Sequence, residues 1–234
     1  MKLSIIIPTR NEEVYLPKLL KSIRKQTFQD YEIIVADNKS EDKTSEIAKK
    51  YGCVLTQGGM PGPGRNLGAK IAKGEILLFL DSDTELENES FLELLIEEFN
   101  DKKLDMAVPM AHVDGTMLDK LFYGFWNSLV KAFQRISPFA GGWCIFATKD
   151  IHNKIKGFDE KIVLGEDSDY AKRAAKIGEF KILQGAKVKV SPRRFEKEGH
   201  LKIIVQSVLT GLYWAVKKRD KKNKVDYKFN IYDK

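Results

Sequence analysis

The chain has 234 residues, enough to bury the core of one large α/β domain or two small ones, and its 43% hydrophobic and 31% charged residues are ordinary for a soluble globular protein. Two cysteines, Cys53 and Cys144, lie far apart in apolar surroundings. That pattern excludes a disulfide framework and a metal-ligand spacing, so it predicts a reducing, intracellular setting.

The net charge of +7 is concentrated at one end of the chain. Residues 193–234 carry 12 Lys/Arg against 5 Asp/Glu, whereas residues 1–192 balance at 28 against 28. A basic tail on a neutral body indicates contact with something anionic, and a solvated, partly disordered end is the alternative.

Strand-type and helix-type segments alternate from the N-terminus, where "MKLSIIIPTRNEE" has too short an apolar run for a signal peptide. The strands predicted in the first half are 3–8, 31–37, 53–57 and 75–80. The helices predicted between and after them are 12–26, 42–51, 64–73 and 89–100. This alternation predicts a mostly parallel sheet covered by helices on both faces.

The second half is less regular. The elements predicted there are a strand at 105–113, an aromatic helix at 117–136, a turn and strand at 141–150, a loop and helix at 157–178, a strand at 181–191 and a last helix at 198–218. No repeat or Gly/Ser/Pro-rich linker divides the chain. We therefore expect one domain over 1–218, with a nucleotide-binding half (1–104), an acceptor half (105–218) and a basic tail (219–234).

Polar clusters follow three of the predicted strands: Thr9–Glu12, Asp37–Ser40 and Asp81–Asp83. Because ligands of such sheets bind beyond the carboxyl ends of the strands, the three clusters should meet at one rim. Asp81 and Asp83 follow a wholly apolar run, where two neighbouring carboxylates repel each other. Mg²⁺ accepts one or two carboxylates plus substrate phosphates, so we expect a metal–diphosphate site that lacks a cation until metal and nucleotide arrive. Simple turn residues are the alternative.

Five stretches in this order resemble family 2 glycosyltransferases of the GT-A fold: "IIIPTRNEE", "IVADNKSEDKT", "GPGRNLGAKIAKGEILLFLDSD", "GGWCIFATKD" and "GFDEKIVLGEDSDYAKRAAKIG". The resemblance covers roughly residues 1–195. It implies a GT-A fold and the transfer of a sugar, with inversion, from a nucleotide-diphosphate donor such as a UDP- or GDP-sugar to a hydroxyl acceptor, with Mg²⁺ or Mn²⁺.

The resemblance also implies roles by position. Pro8, Thr9 and Glu12 would line the base and ribose pocket, Asp37 would accept a hydrogen bond from the base, and Arg65 would contact base or phosphate. Asp81 would hold ribose or metal-bound water, and Asp83 would bind the metal directly. Gly141, Gly142 and Trp143 would shape the sugar and acceptor site, with Glu166 beside it. Asp167 would be the general base.

The reaction itself requires a carboxylate that takes the proton of the attacking hydroxyl. "GEDSDY" offers three, Glu166, Asp167 and Asp169, at an expected helix start. Acidic residues favour helix N-termini, and this preference accounts well for Glu166 and Asp169. We therefore assign catalysis to Asp167 alone.

The stretch "GGMPGPGRNLGAK" (58–70) does not have the G-x-G-x-x-G spacing and does not follow the first strand. We interpret it as a turn and helix start that presents Arg65 and Asn66, with a plain loop as the alternative.

Three residues near the end of the motif region are further candidates. Arg193 and Arg194 suit a phosphate of donor or acceptor. His200 is a weaker candidate metal ligand, against the alternative of a surface histidine. His112 and His152 have no partner motif and receive no role.

Two segments suggest a lipid. The helix at 118–136 is rich in aromatic residues, and 200–219 is apolar for about four turns before a basic cluster. Neither spans a bilayer, but both suit peripheral contact with anionic membrane at the cytoplasmic face, and a lipid-linked acceptor. Packing on the domain core is the alternative.

Two other functions remain as alternatives. A sugar nucleotidyltransferase should carry a Gly-rich loop directly after the first strand, where "PTRNEE" stands. A non-catalytic binding module would need its own surface. For nucleic acid this would be a basic stripe with stacking aromatics, whereas here the aromatics follow helical stripes, so no nucleic-acid partner is expected.

Overall fold

The computed structural model describes residues 2–136, 138–193 and 199. Eight strands of the described chain form one sheet. They are β1 (Leu3–Thr9), β2 (Tyr31–Asp37), β3 (Val54–Gln57), β4 (Ile76–Leu80), β5 (Thr84–Glu85), β6 (Met106–Val113), β7 (Cys144–Thr148) and β8 (Phe180–Val190).

The helices of the described residues connect these strands. They are α1 (Leu16–Arg24), α2 (Thr44–Lys50), α3 (Pro61–Ile71), α4 (Phe91–Asp101), α5 (Met117–Phe133), α6 (Lys149–Lys154) and α7 (Glu166–Ala174). Within the described part of the chain, no helix is both long and apolar enough to cross a bilayer.

The strand order is β3-β2-β1-β4-β7-β6-β8-β5. The first four strands in this order pair in parallel, as the alternation of strands and helices predicts. The remaining part is mixed, because β7 runs antiparallel to both β4 and β6, β8 is parallel to β6, and β5 is antiparallel to β8. The prediction of a mostly parallel α/β sheet with a less regular second half is confirmed.

Each face of the sheet is covered by its own apolar layer. Along β1 the side chains alternate, so Ile5 and Ile7 pack with α1 and α4 while Ile6 packs against α3 on the other face. All three isoleucines are fully buried. Burial on both faces is the physical reason why these strands are continuous apolar runs rather than alternating ones.

Some element predictions need correction. The helix expected at 64–73 begins at Pro61, because proline tolerates the first helical turn, where its missing N–H costs nothing. The strand expected to run to residue 150 ends at Thr148, whose hydroxyl accepts a hydrogen bond from the Ile151 N–H and starts α6. The expected last helix at 198–218, the basic tail, Arg194 and His200 lie outside the described residues, and the one-domain boundaries stay a prediction.

Candidate functional site

The Asp81-Ser82-Asp83 segment is a tight turn between β4 and β5. The Asp81 carbonyl accepts hydrogen bonds from the Thr84 N–H (3.2 Å) and the Thr84 hydroxyl (2.8 Å). The Asp81 N–H donates to the carbonyl of Trp143 (3.2 Å), which ties the turn to the segment before β7. The side chains of Asp81 and Asp83 remain 36% and 22% exposed, so both carboxylates are partly accessible to solvent.

Arg65 is the centre of an ion-pair network behind this turn. Its guanidinium donates to Asp81 (2.8 Å), to Glu166 (2.8 Å) and to the Gly142 carbonyl (3.1 Å). Its side chain is only 2% exposed. Burial opposes the charge, but the neighbouring carboxylates of Asp81 and Glu166 outweigh it and raise the pKa of Arg65 above its ordinary value. In this structure Arg65 joins the metal-motif turn to α7, and its predicted contact with the nucleotide stays a prediction.

The glycine-rich start of α3 explains how a buried arginine reaches this position. A Cβ on Gly68 would lie 2.4 Å from Ile6 of β1, and one on Gly62 would lie 3.5 Å from Glu166. The missing side chain of Gly68 lets α3 lie close against β1, whereas a Cβ on Gly62 would make only ordinary contact with α7; Arg65 lies between these two neighbours. Gly68 therefore serves close helix packing, and the interpretation of this stretch as a helix start that presents Arg65 and Asn66 agrees with the geometry.

Arg193, just after β8, pairs with the other aspartate of the turn. It donates to Asp83 (2.8 Å) and, through two nitrogens, to Glu12 (3.0 and 3.1 Å). Its guanidinium also lies over the Tyr15 ring, 4.7 Å from the centroid. Burial raises the pKa of Asp83 to about 6 and also raises that of Glu12, while the Arg193 charge opposes both shifts.

The expectation that the aspartates lack a cation until metal arrives is therefore wrong. Asp81 is compensated by Arg65, and Asp83 by Arg193. The surroundings still carry excess negative potential, because Glu12, Glu166 and Asp167 join the same network. With all carboxylates ionised, five carboxylates face two guanidinium groups.

Asp167 lies in the first turn of α7, where Gly165 adopts a left-handed conformation (φ +80°) before the helix begins. One Asp167 oxygen accepts a hydrogen bond from the Ser168 N–H (2.7 Å). Burial, together with the neighbouring Glu166 charge, raises the pKa of Asp167 to about 7. Asp169 instead forms an ion pair with Arg173 (2.5 Å), as expected for an acidic residue that stabilises the helix.

Gly142 lies where the two halves of the site meet. A Cβ built there would be 2.7 Å from the Arg65 guanidinium, 3.4 Å from Asp81 Oδ2 and 3.5 Å from Asp167 Oδ2. One carboxylate oxygen of Asp81 and one of Asp167 thus lie close to Gly142, where the Arg65 guanidinium leaves no room for a side chain.

Trp143 and Gly141 border a small, mainly apolar pocket with room for about one water molecule. Its walls include Trp126, Val130 and Phe139. The indole N–H of Trp143 is buried and has no hydrogen-bond partner in the described parts of the chain. A donor in this state is available to a substrate oxygen or a water molecule.

The predicted base pocket is ordered by its own hydrogen bonds. The Thr9 hydroxyl donates to Asp37 (3.2 Å), which also accepts from the hydroxyls of Ser40 and Ser45. Pro8 lies beside α3, 3.3 Å from the position of a Cβ on Gly64. The clusters after β1 and β2 therefore adjoin, as predicted, while nucleotide contact by Pro8, Thr9, Glu12 and Asp37 stays a prediction.

Sequence reasoning missed Tyr15, and it named Asn66 without its bonding partner. Tyr15 lies under Arg193, and nothing in its local pattern separates it from a surface tyrosine. The Asn66 side chain exchanges two hydrogen bonds with the backbone of Phe158 (2.8 and 2.9 Å) and so holds the loop before α7. His152 is neutral and structural, since burial lowers its pKa to about 4 and its ring bonds to the Tyr170 hydroxyl (2.9 Å).

Comparison with known proteins supplies the family. The sequence model described as "Glycosyl transferase family 2" matches residues 4–147, more than half of the chain. The chain belongs to glycosyl transferase family 2. This match confirms the resemblance seen in the motifs and argues against the nucleotidyltransferase alternative.

One curated relative is the GalNAc(5)-diNAcBac-PP-undecaprenol beta-1,3-glucosyltransferase of Campylobacter jejuni, 43% identical over 96 residues, which are 36% of this chain and 30% of that protein. The matched segments span less than a third of the length of the first bacterial relatives.

Two solved structures share the fold. Staphylococcus aureus TarS 1–349 in complex with UDP superposes with a TM-score of 0.66 at 24% identity, over 83% of this chain and 62% of that one. The mannosyltransferase PcManGT of Pyrobaculum calidifontis, in complex with GDP-Man and Mn²⁺, gives 0.67 at 17% identity, over 80% and 56%. At these identities the likeness shows the fold alone.

Proposed function

We propose that this protein is an inverting glycosyltransferase that moves a sugar from a nucleotide-diphosphate donor to an acceptor hydroxyl, with Asp167 as the general base. The observation that carries the proposal is the proximity of the Asp81 and Asp167 carboxylates, which both approach Gly142. A donor phosphate bound near Asp81 and an acceptor hydroxyl bound at Asp167 would therefore lie close together.

The protonation state of Asp167 suits this role. A general base works best when its pKa lies near the operating pH, and burial raises that of Asp167 to about 7. The carboxylate can therefore take a proton from a hydroxyl during attack and release it to solvent afterwards. Glu166, by contrast, is engaged with Arg65 and acts as an electrostatic neighbour.

The donor set fits a divalent cation held jointly with a nucleotide. No three His, Cys, Asp or Glu side chains in 2–136 and 138–193 come together as a self-sufficient metal site. Asp83 and Asp81 offer partly exposed carboxylates in a negative cleft, and Mg²⁺ or Mn²⁺ typically takes one or two such ligands plus phosphate oxygens. When bound, the cation would neutralise charge on the leaving diphosphate.

Arg193 competes with a cation for Asp83, because its Nε lies 2.8 Å from Asp83 Oδ2. A guanidinium displaced from Asp83 by a cation would suit a bidentate contact with phosphate. We propose that the ion pair with Asp83 and a phosphate contact are alternative states of Arg193.

The acceptor is proposed to be attached to a lipid or a polymer. Support comes from the name of the Campylobacter jejuni relative, which specifies an undecaprenol-linked substrate. The donor is proposed to be a UDP- or GDP-sugar, in line with the ligands named for the two solved structures.

The test compares the turnover of Asp167→Asn with that of the wild type. Turnover is measured as release of the nucleoside diphosphate from a panel of UDP- and GDP-sugars, with undecaprenyl-phosphate-linked sugars in detergent as acceptors. Removing the base should lower turnover by about 10²–10⁴-fold while donor affinity is unchanged. The matched control is Asp169→Asn, which removes a structural carboxylate on the same helix turn. Near-normal turnover of Asp167→Asn would overturn the assignment.

A further inference from the structure

The outer face of α5 carries large apolar side chains in contact with solvent. Leu118, Leu121 and Phe125 are 67%, 61% and 63% exposed, and Phe133 continues the same line at 52%, while Ile136 is 82% exposed in the turn after the helix. Their spacing of three or four residues, with one gap that Leu129 fills, places them on one side of the helix. These residues are called the α5 stripe below. Single exposed apolar residues are common, but a continuous row indicates an interaction surface.

The exposed charged residues of α5 and of the turn after it are all positive. Lys120 and Lys131 are exposed on α5, where the Lys131 ammonium donates to Gln184 (2.9 Å), and Arg135 is exposed just after the helix. The one carboxylate of α5, Asp119, is 2% exposed and is used in the capping box with Thr116. An apolar row flanked by cations, with no exposed acid on the helix, complements the surface of an anionic bilayer.

The same charges disfavour a second copy of the chain as the occupant. A twofold contact through the stripe would bring Lys120 and Arg135 of one copy close to the same cations of the other. Like charges in such a contact weaken it, whereas a sheet of lipid phosphates neutralises them.

The inner face of α5 borders the acceptor side of the site. Trp126 and Val130 line the apolar pocket together with Gly141 and Trp143. The rings of Tyr123 and Trp143 also meet edge to face, 6.2 Å between centroids. One helix therefore separates the solvent-facing stripe from the pocket by only its own width, about 10 Å.

We propose that the α5 stripe is the surface by which the protein lies on an anionic lipid bilayer. Contact in this orientation brings the pocket beside Trp143 close to the lipid headgroups. A hydroxyl carried by a membrane-anchored acceptor could then reach Asp167, a consequence that rests on the proposed function, whereas the bilayer contact does not.

The experiment is flotation of the full chain with vesicles of phosphatidylcholine alone or mixed with phosphatidylglycerol. The test variant is Leu121→Glu with Phe125→Glu, two exposed positions whose change leaves the core intact. The control variant is Val54→Glu with Ile177→Glu, which makes the same change in charge at exposed apolar positions elsewhere (45% and 59% exposed). Circular dichroism melting confirms that each variant is folded.

The wild type should float with the anionic vesicles and progressively less as salt is raised. The stripe variant should bind at least about a hundredfold more weakly, since two apolar side chains no longer leave water. The control should bind like the wild type. Lys120→Gln should weaken binding to anionic vesicles alone, by about fivefold.

Three results would overturn the proposal. The first is a wild type that does not float with anionic vesicles even at low ionic strength. The second is equal flotation of the wild type and the stripe variant, which would assign binding to another segment, such as 200–219. The third is a wild-type dimer in light scattering that the stripe variant makes monomeric, without vesicle binding by either.

Donor binding separates this proposal from the proposed function. Nucleotide-sugar affinity should be the same in the wild type and the stripe variant. If the protein binds vesicles but no nucleotide sugar, the proposed bilayer contact is supported and the proposed transferase function is contradicted.

Discussion

Replacing Arg65 by methionine should destabilise the fold far more than any surface charge change. Methionine fills a similar volume but leaves Asp81 and Glu166 without the guanidinium that lies 2.8 Å from each. Removing one partner of a buried ion pair costs about 3–5 kcal/mol, because the remaining charge stays desolvated. The cost should fall at the lower end of this range, since Glu166 is only 12% exposed but Asp81, at 36%, is relieved partly by water.

The assay is thermal and urea unfolding at neutral pH. A loss of 3–5 kcal/mol corresponds to a decrease in Tm of about 6–20 °C for a chain of this size. The control is Lys102→Gln, which removes a surface pair with Glu98 and should change stability by no more than about 0.5 kcal/mol.

A second variant separates lost charge compensation from lost packing. Arg65→Met combined with Glu166→Gln removes the carboxylate that would be left unpaired, so it should recover about 1–3 kcal/mol of the loss. A loss below about 1 kcal/mol for Arg65→Met would refute the reasoning. So would a double variant no more stable than the single one.

Three further predictions follow from the geometry. Arg193→Gln should raise the affinity for Mn²⁺ in the absence of nucleotide by about tenfold, because the Arg193 guanidinium no longer competes for Asp83. Electron paramagnetic resonance of free Mn²⁺ measures this affinity, and an unchanged value would contradict the competition. Turnover should fall as pH drops below about 7, where Asp167 becomes protonated. The folded state holds the Asp167 proton up to about pH 7, whereas the unfolded state releases it near pH 3.8. The free energy of unfolding should therefore fall as the pH rises from about 4 to 7, by at most about 1.4 kcal/mol per pH unit from this group. This slope should be smaller in Asp167→Asn, and an equal slope would refute the assignment. Gly68→Ala should cost about 1–3 kcal/mol in urea unfolding, because its Cβ would lie 2.4 Å from Ile6. Gly124→Ala, with open space around it, should be neutral or stabilising, and equal costs at the two sites would exclude the packing argument.

The sequence was most informative where burial is simplest. β1, β2 and β4 are apolar runs bounded by turn residues, and their predicted positions agree with the structure to within one residue. Burial on both faces leaves a strong local pattern. β5 was not predicted, because its two residues pair with Val190 and Lys189, a contact between distant parts of the chain.

The site shows the same division. The polar clusters after β1, β2 and β4 were predicted to adjoin because parallel strands end at one edge. The ion pairs that organise them were not, since Arg65–Glu166 spans 101 positions and Arg193–Glu12 spans 181. No local pattern encodes such contacts. The sequence therefore predicts a metal ion as the partner of the aspartates, whereas in the structure Arg65 and Arg193 pair with them.

The most direct test of the central claim is thermal-shift screening of the protein with UDP-, GDP- and dTDP-sugars, with and without Mn²⁺. At about 100 times its Kd, a true donor should stabilise the folded protein by about 2.7 kcal/mol. The account predicts that one nucleotide class does so, more strongly with Mn²⁺, and that Asp83→Asn abolishes the effect of the metal. Stabilisation by none of these donors, with or without Mn²⁺, would contradict it.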